Sequence, residues 1–152
     1  MKFTQTCLIN ADRETVWDFL MNMENVASCL DGVQALHPID ADNYEGTLRV
    51  KVGPVAFSFQ GTVHVENRDR EQWRGVVRAE AKDRRVGGAV RAHMDMNLIA
   101  KSPTETEMHV DLDAHILGKI GEYGQPVIRK KTDSMLQTFA AQVSKRLLNQ
   151  QV

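Results

Sequence analysis

Thr104–Leu148 reads TETEMHVDLDAHILGKIGEYGQPVIRKKTDSMLQTFAAQVSKRLL, and it holds two periods in succession. The first part alternates Met108, Val110, Leu112, Ala114 and Ile116 with Glu107, His109, Asp111, Asp113 and His115, the pattern of a strand with one dry face. The second returns apolar or small residues at Ile120, Gly124, Val127/Ile128, Met135, Phe139, Val143 and Leu147, three or four apart, which marks one face of a helix. A helix from about Gly118 to Leu148 would be roughly 45 Å long at ~1.5 Å per residue. A stripe of that length needs a sheet to lie in. Pro126 interrupts the pattern by removing a backbone donor and crowding the carbonyl of Glu122, so a kink or a late helix start is expected near Gly121 and Gly124.

The chain before this stretch supplies the sheet. Phe3 to Ile9 alternates as a first strand, and Asp12 is placed to cap a short helix with Val16, Phe19, Leu20 and Met23 on its apolar face and Trp17 beside it. A second helical piece, about Glu24 to Leu30, closes at Asp31-Gly32. Strands follow over Val33–Ile39, Tyr44–Val52, Val55–Glu66, Trp73–Ala81 and Val90–Leu98, punctuated by Asp40-Ala41-Asp42-Asn43, Gly53-Pro54, Gly87-Gly88 and Ser102-Pro103. Sequential strands with short connections, each with one apolar face, give an α+β fold. It is a curved seven-stranded antiparallel sheet with a long C-terminal helix as cover and two small helices between strands one and two.

With 152 residues, one domain over 1–152 is expected, able to bury about two-thirds of its unfolded surface. A formal net charge of −1 gives no global drive toward nucleic acid or anionic lipid. From Gly118 onward, however, Lys119, Arg129, Lys130, Lys131, Lys145 and Arg146 face only Glu122 and Asp133. Such a cluster is either the wet side of an amphipathic helix or a surface for transient contact with membrane. Cys7 and Cys29 lack metal-ligand spacing and read as free thiols of a reducing compartment. The N-terminus opens on a strand pattern instead of a leader, and no window approaches the ~20 apolar residues needed to span a bilayer. A cytoplasmic protein is expected, with peripheral membrane contact at most.

Small residues on inward positions decide the functional expectation. Gly46, Gly61, Gly75, Ala79, Ala92 and Ala114 fall among Phe57, Phe59, Met94 and Met96, so sheet and helix should leave an apolar wedge between them. Met94, Met96, Met108 and Met135 are flexible enough to adapt to a guest there. The alternative is a filled core. Residues expected to line the wedge on the sheet are Leu48, Val50, Phe57, Phe59, Val77, Met94, Met96, Val110 and Leu112. Leu30, Ile120, Tyr123 and Val127 are expected to close it from the helical segments.

Other chemistry is weaker. His93 and Asp95 fall outward beside His109, Asp111, Asp113 and His115, a set able to bind a divalent metal but equally a solvated ladder of charge pairs. His37 and His64 lack an evident carboxylate partner, and Cys7 shares the inward face of Phe3 and Ile9 with nothing placed to activate it. The glycines punctuate hairpins and form no phosphate-cradling loop. Neither metal nor cofactor is expected.

Met1-Lys2-Phe3, Val16-Trp17, Cys29-Leu30-Asp31-Gly32-Val33, Tyr44-Glu45-Gly46, Lys51-Val52-Gly53-Pro54-Val55, Phe59-Gln60-Gly61-Thr62-Val63 and Gly118-Lys119-Ile120 together resemble the CoxG family of carbon monoxide dehydrogenase proteins, within the SRPBCC or START-like superfamily. The likeness spans nearly the full chain. It implies the helix-grip fold, a non-catalytic accessory role beside a molybdenum-containing dehydrogenase, and a hydrophobic guest of lipid or quinone type. Some members are thought to reach the membrane through a further tail, whereas this sequence stops at Val152. Access would be gated by the second small helix and the loops at Gly53-Pro54 and Gly87-Gly88. Two other functions fit the superfamily or the composition. A cyclase or hydrolase would need an inward acid/base pair, for which Tyr44, Tyr123 and Asp31 are the candidates, and a protein-interaction module would need no pocket.

Overall fold

Alternating residues build seven strands, and the computed structural model, which describes residues 1–150, joins them in one antiparallel sheet. The strands are β1 (Lys2–Ile9), β2 (Val33–Pro38), β3 (Asn43–Val52), β4 (Val55–Asp69), β5 (Arg74–Asp83), β6 (Gly88–Ser102) and β7 (Glu105–Gly118). Their order is β1-β7-β6-β5-β4-β3-β2, so every neighbour is consecutive in sequence except β1, which returns to pair with β7. Helices α1 (Arg13–Leu20), α2 (Met23–Cys29) and α3 (Gln125–Gln150) complete the chain. This is the helix-grip architecture, with α3 lying across the sheet.

Local chemistry sets the helix boundaries. The carboxylate of Asp12 accepts from the Thr15 backbone N–H at 3.1 Å and from its hydroxyl at 2.6 Å, which starts α1 and holds the Asp12 carboxyl below its ordinary value. Asn22 caps α2 in the same way through the N–H groups of Glu24 and Asn25. Met23 therefore opens α2 and is not the last apolar residue of α1, a correction to the expected face. The late start of the long helix is also explained. Gly118 (φ 78°) and Gly124 (φ 84°) bracket a 3₁₀ turn, Lys119–Tyr123, so Pro126 falls in the first turn of α3, where its missing N–H has no partner to lose.

Apolar packing concentrates at one end. Cys7, Ile9, Met96, Leu98, Met108 and Val110 of the sheet meet Val16, Trp17, Phe19 and Leu20 of α1 and Phe139, Ala140, Val143 and Leu147 of α3. Trp17 and Trp73 meet edge to face, centroids 6.0 Å apart, and the guanidinium groups of Arg13 and Arg70 lie 4.3 and 5.2 Å from the Trp73 ring. At the opposite end a smaller cluster joins Val50, Val52, Phe57, Phe59 and Ile120. Between the two, a small cluster of Phe3, Ala114 and Ile128 covers the β1–β7 side of the sheet, and the rest of the middle is not filled by side chains.

Candidate ligand-binding cavity

Cross-strand register explains the gap. One inward row runs Val63, Ala79, Ala92, Ala114, and the next runs Gly46, Gly61, Ala81, Val90, Ile116. Residues that share a row face the same patch of helix, so a row of glycine and alanine lowers the floor under it. At Gly61 even a methyl group is excluded, because an added Cβ would stand 1.9 Å from the Glu80 carbonyl oxygen and 2.7 Å from Ala81 Cα. Above these rows lie Ile128, Thr132 and Met135 of α3, and at the side lie Met23, Val26 and Ala27 of α2 and Leu30 just after it. The result is a cavity of about 360 Å³, open on one side. That volume falls in the range of small-molecule sites.

The lining is almost wholly apolar. Thr47, Thr62 and Glu80 belong to the outward phase of their strands, so they present backbone to the cavity. The Glu80 carboxylate itself pairs with Arg91 at 3.4 Å. Thr132 donates its hydroxyl hydrogen to the Ile128 carbonyl at 2.8 Å, which leaves Lys131 as the one cationic side chain on the wall. Such a surface can hold an apolar molecule by area and shape and can aim few polar groups at it.

Of the thirteen residues expected on the wall, Leu30, Leu48, Val50, Phe59, Leu112 and Ile120 lie there. Phe57 lies one layer behind: it stacks on Phe59 with centroids 5.6 Å apart and meets Tyr123 edge-on at 6.4 Å, so both rings close the end of the cavity without lining it. Met96 and Val110 sit in the solid core, with Met94 packed against it, and Val77 shares the Met94 row, one step toward that core. Gly75 also belongs there, with an added Cβ 3.4 Å from Met96 Cε. Val127 is 43% exposed, because adjacent helical positions lie about 100° apart and Ile128 takes the inward one. The sequence reading missed Met23, Val26 and Ala27 of α2, and Val33, Ala35 and Leu36 at the sheet's edge. Their signal was faint, since neither short segment carries a clean period. The loops at Gly53-Pro54 and Gly87-Gly88 do not line the cavity either; the Gly87 carbonyl accepts from Lys119 N–H at 2.7 Å.

Apart from Lys131, the titratable side chains lie elsewhere among the described residues. Among the described residues no group of three or more His, Cys, Asp or Glu side chains is arranged to hold a metal. Asp95 instead forms a forked pair with Arg74, its oxygens 2.9 and 2.5 Å from Nε and Nη2, and that bond holds its carboxyl low. Glu107 bonds His109, which lowers the Glu107 carboxyl too. His64 meets Asn43 at 2.7 Å. Tyr44 donates to the Ala41 carbonyl at 3.2 Å. Neither Tyr44 nor Tyr123 reaches the cavity wall.

Comparison with known proteins agrees with this architecture. A conserved protein from Geobacillus kaustophilus superposes with a TM-score of 0.88 at 17% identity, over 98% of this chain and 96% of its own. A START superfamily protein from Mycobacterium smegmatis gives 0.66 at 13% identity, covering 97% of each chain. The Zhui aromatase/cyclase from Streptomyces sp. R1128 gives 0.64 at 11% identity, over 96% of this chain and 92% of its own. At these identities the likeness concerns the fold, which is that of the START-like superfamily. No curated protein sequence matches the chain. The family model for CoxG, a carbon monoxide dehydrogenase subunit, matches residues 6–148, nearly the whole sheet and helix, and the chain belongs to that family.

Proposed function

We propose that this protein is a non-catalytic carrier that holds a hydrophobic molecule, lipid-like or quinone-like, between its sheet and α3. The observation that carries the reading is the apolar cavity of about 360 Å³ over the two glycine and alanine rows. A filled core would have placed larger side chains there. An acid–base catalyst needs two titratable groups within reach of one substrate. The wall offers Lys131, while Glu80 points its carboxylate toward Arg91 on the other face, and this favours holding over converting.

Family membership supports a role beside a carbon monoxide dehydrogenase-type molybdenum enzyme, to which the carried molecule would be delivered or from which it would be taken. A hydrophobic cargo also implies a membrane as source or destination. Leu117, 67% exposed, and the exposed Val127 stand near Lys119, Arg129 and Lys130 in sequence, where β7 passes into α3, and this mixture suits transient contact with an anionic bilayer. No helix among the described residues is long and apolar enough to cross one.

The test is recovery of cargo. Protein purified without detergent is extracted with organic solvent and analysed by mass spectrometry, and menaquinone and neutral lipids are titrated against a bound neutral fluorophore. One apolar molecule per chain is expected, displaced competitively. Failure of every apolar probe to bind would end the carrier reading.

A further inference from the structure

Resting on the carrier reading, the shape of the cavity indicates which part of the cargo enters it. Inward residues on its wall number four on β3, three on β4 and two each on β5 and β6, so it narrows from the edge of the sheet toward the middle. Along β5 and β6 the floor is two rows, Ala79 with Ala92 and Ala81 with Val90, about 7 Å apart at two residues of strand rise. From Gly46 on β3 to Ile116 on β7 the second row crosses four strand spacings, about 19 Å. The cavity is thus a tapering slot laid across the strands.

Its two ends differ. At the narrow end Phe3, Ala114 and Ile128 form a cluster exposed by only 2, 4 and 7%. At the wide end β2 is the last strand of the sheet and buries none of its residues, while α2 buries only Cys29. A second recess of about 310 Å³ adjoins the wide end at Val33, Val50, Lys131 and Met135. Asp31 and Lys131 border it, whereas Arg49 and Lys51 alternate with the inward Val50 and leave by the outer face of β3. This corner is polar without favouring either charge. The mouth is therefore wet and the far end dry.

Polarity and volume assign the parts of a guest to these ends. The side chains of Phe3, Ala114 and Ile128 neither donate nor accept hydrogen bonds, so a carbonyl or hydroxyl carried there would lose its water without replacement, a cost that a methyl group escapes. An apolar cavity of roughly 150 Å³ takes one benzene ring, so one of about 360 Å³ takes about 14 carbons, enough for one chain and too few for two.

We propose that the cargo is a single-chain amphiphile held tail-first. Its chain runs across β4 to β7 toward Phe3 and Ile128, and its head stays at the corner between Gly32 and Lys131. Acyl and isoprenoid chains share this chemistry, whereas a lipid with two chains exceeds the space.

Monoacylglycerols keep one neutral head while the chain varies. Saturated members on both sides of about 14 carbons are titrated, below their aggregation limits, against a bound neutral solvatochromic dye. Affinity is expected to rise about fourfold per methylene and then to level off near that length. Ala92→Leu narrows the throat and should move the plateau to a shorter chain; if its melting temperature falls, the wild-type series and the labels below decide. Orientation is read with two photoreactive monoacylglycerols, one bearing a diazirine at the methyl end and one beside the head. Peptide mapping should find the first label on β1, β7 or the first turn of α3 and the second on α2 or β2. Whether geranylgeraniol or the monoacylglycerols bind more tightly identifies the source of the chain, and either result supports the slot. A methyl-end label on α2 or β2, or an affinity that climbs without a plateau, would overturn the tail-first slot and leave the carrier reading standing. If neither the dye nor any of these compounds binds, both fall.

Discussion

Along the same strands and beneath the same helix, two regions a few residues apart have been filled in opposite ways. Toward α1 the inward rows carry Met96, Leu98, Met108 and Val110, which meet Phe139, Val143 and Leu147. Two to three rows further along β5, β6 and β7 they carry Ala79, Ala81, Ala92 and Ala114, and α3 reaches them only through Ile128 on Ala114, leaving the rest of these rows unfilled. The strand period is identical in both places. Alternation thus determines which face is dry, whereas the summed side-chain volume across a row determines whether that dry face becomes core or container. The solid end holds the fold together, and the hollow end is free to serve a guest.

The contrast breaks most sharply under truncation. Leu147 is 1% exposed in the solid end, and Leu147→Ala should cost about 2–5 kcal/mol, since a cavity opens where neighbours cannot collapse. Chemical denaturation followed by tryptophan fluorescence measures this directly, because Trp17 belongs to the same cluster. A cost below ~1 kcal/mol would mean that the solid end is not the seat of stability.

Enlargement tests the pair from the other side. Ala140, 2% exposed at the solid end, has no room, and Ala140→Leu should destabilise by about 1–3 kcal/mol through overpacking. Ala92 at the hollow end faces empty space, and Ala92→Leu should change stability by less than about 1 kcal/mol. The same change places a side chain where the guest would lie, so affinity for a neutral apolar probe should fall about tenfold or more. If both substitutions prove equally damaging, the hollow is not available to be filled.

The hollow end is held by the smaller cluster around Phe57 and Phe59, and Asp83 adds polar bonds to it. Buried at 3% exposure, its carboxylate accepts from the backbone N–H groups of Val86 and Arg85 at 2.9 Å and of Ser58 at 2.7 Å, tying the β5–β6 turn to β4. The Val86 bond first, then that of Ser58, holds the Asp83 carboxyl below its ordinary value of 3.8. A carboxyl lowered by folding stabilises the protein above its unfolded value and loses that contribution as pH falls through its folded one. Asp83→Asn should therefore be less stable than wild type above about pH 4, with the gap narrowing below it. Urea midpoints across pH 5 to 3 check this, and a constant gap would remove Asp83 from the account.

These effects also show what could be seen in the chain beforehand. Seven strands, two short helices, the first capped by Asp12, and a long helix kinked or starting late at Pro126 follow from period and turn residues, because those signals are local. The cavity was half visible: Gly46, Gly61, Ala79, Ala92 and Ala114 declared small inward positions, and Leu48, Val50, Phe59 and Leu112 their larger neighbours. Met94 and Met96 were misplaced because alternation fixes a face and gives no position along it. Register across strands supplies that second coordinate, and it rests on pairings such as Ala92 with Ala114 that are 22 residues apart. The part played by α2 was hidden for a related reason. Met23, Val26 and Ala27 reach the cavity through the packing of a seven-residue helix, too short to announce its own buried face.

The smallest effect expected is an absence of reactivity at the solid end. Cys7 is buried there, and its thiol is pushed up to about 11, chiefly by loss of solvent and further by the carboxylates of Asp133 and Glu107. At pH 8 only about one molecule in a thousand would carry the thiolate, so modification by an aromatic disulfide reagent should proceed no faster than the protein opens. A cysteine placed at the hollow end by Ala92→Cys should react within the mixing time of a manual experiment, and more slowly once an apolar guest is bound. The ratio of the two rates compares the regions without perturbing either core. If Cys7 reacts as readily as the introduced thiol, water reaches both ends alike, and the division of this sheet into a solid half and a hollow half does not survive in solution.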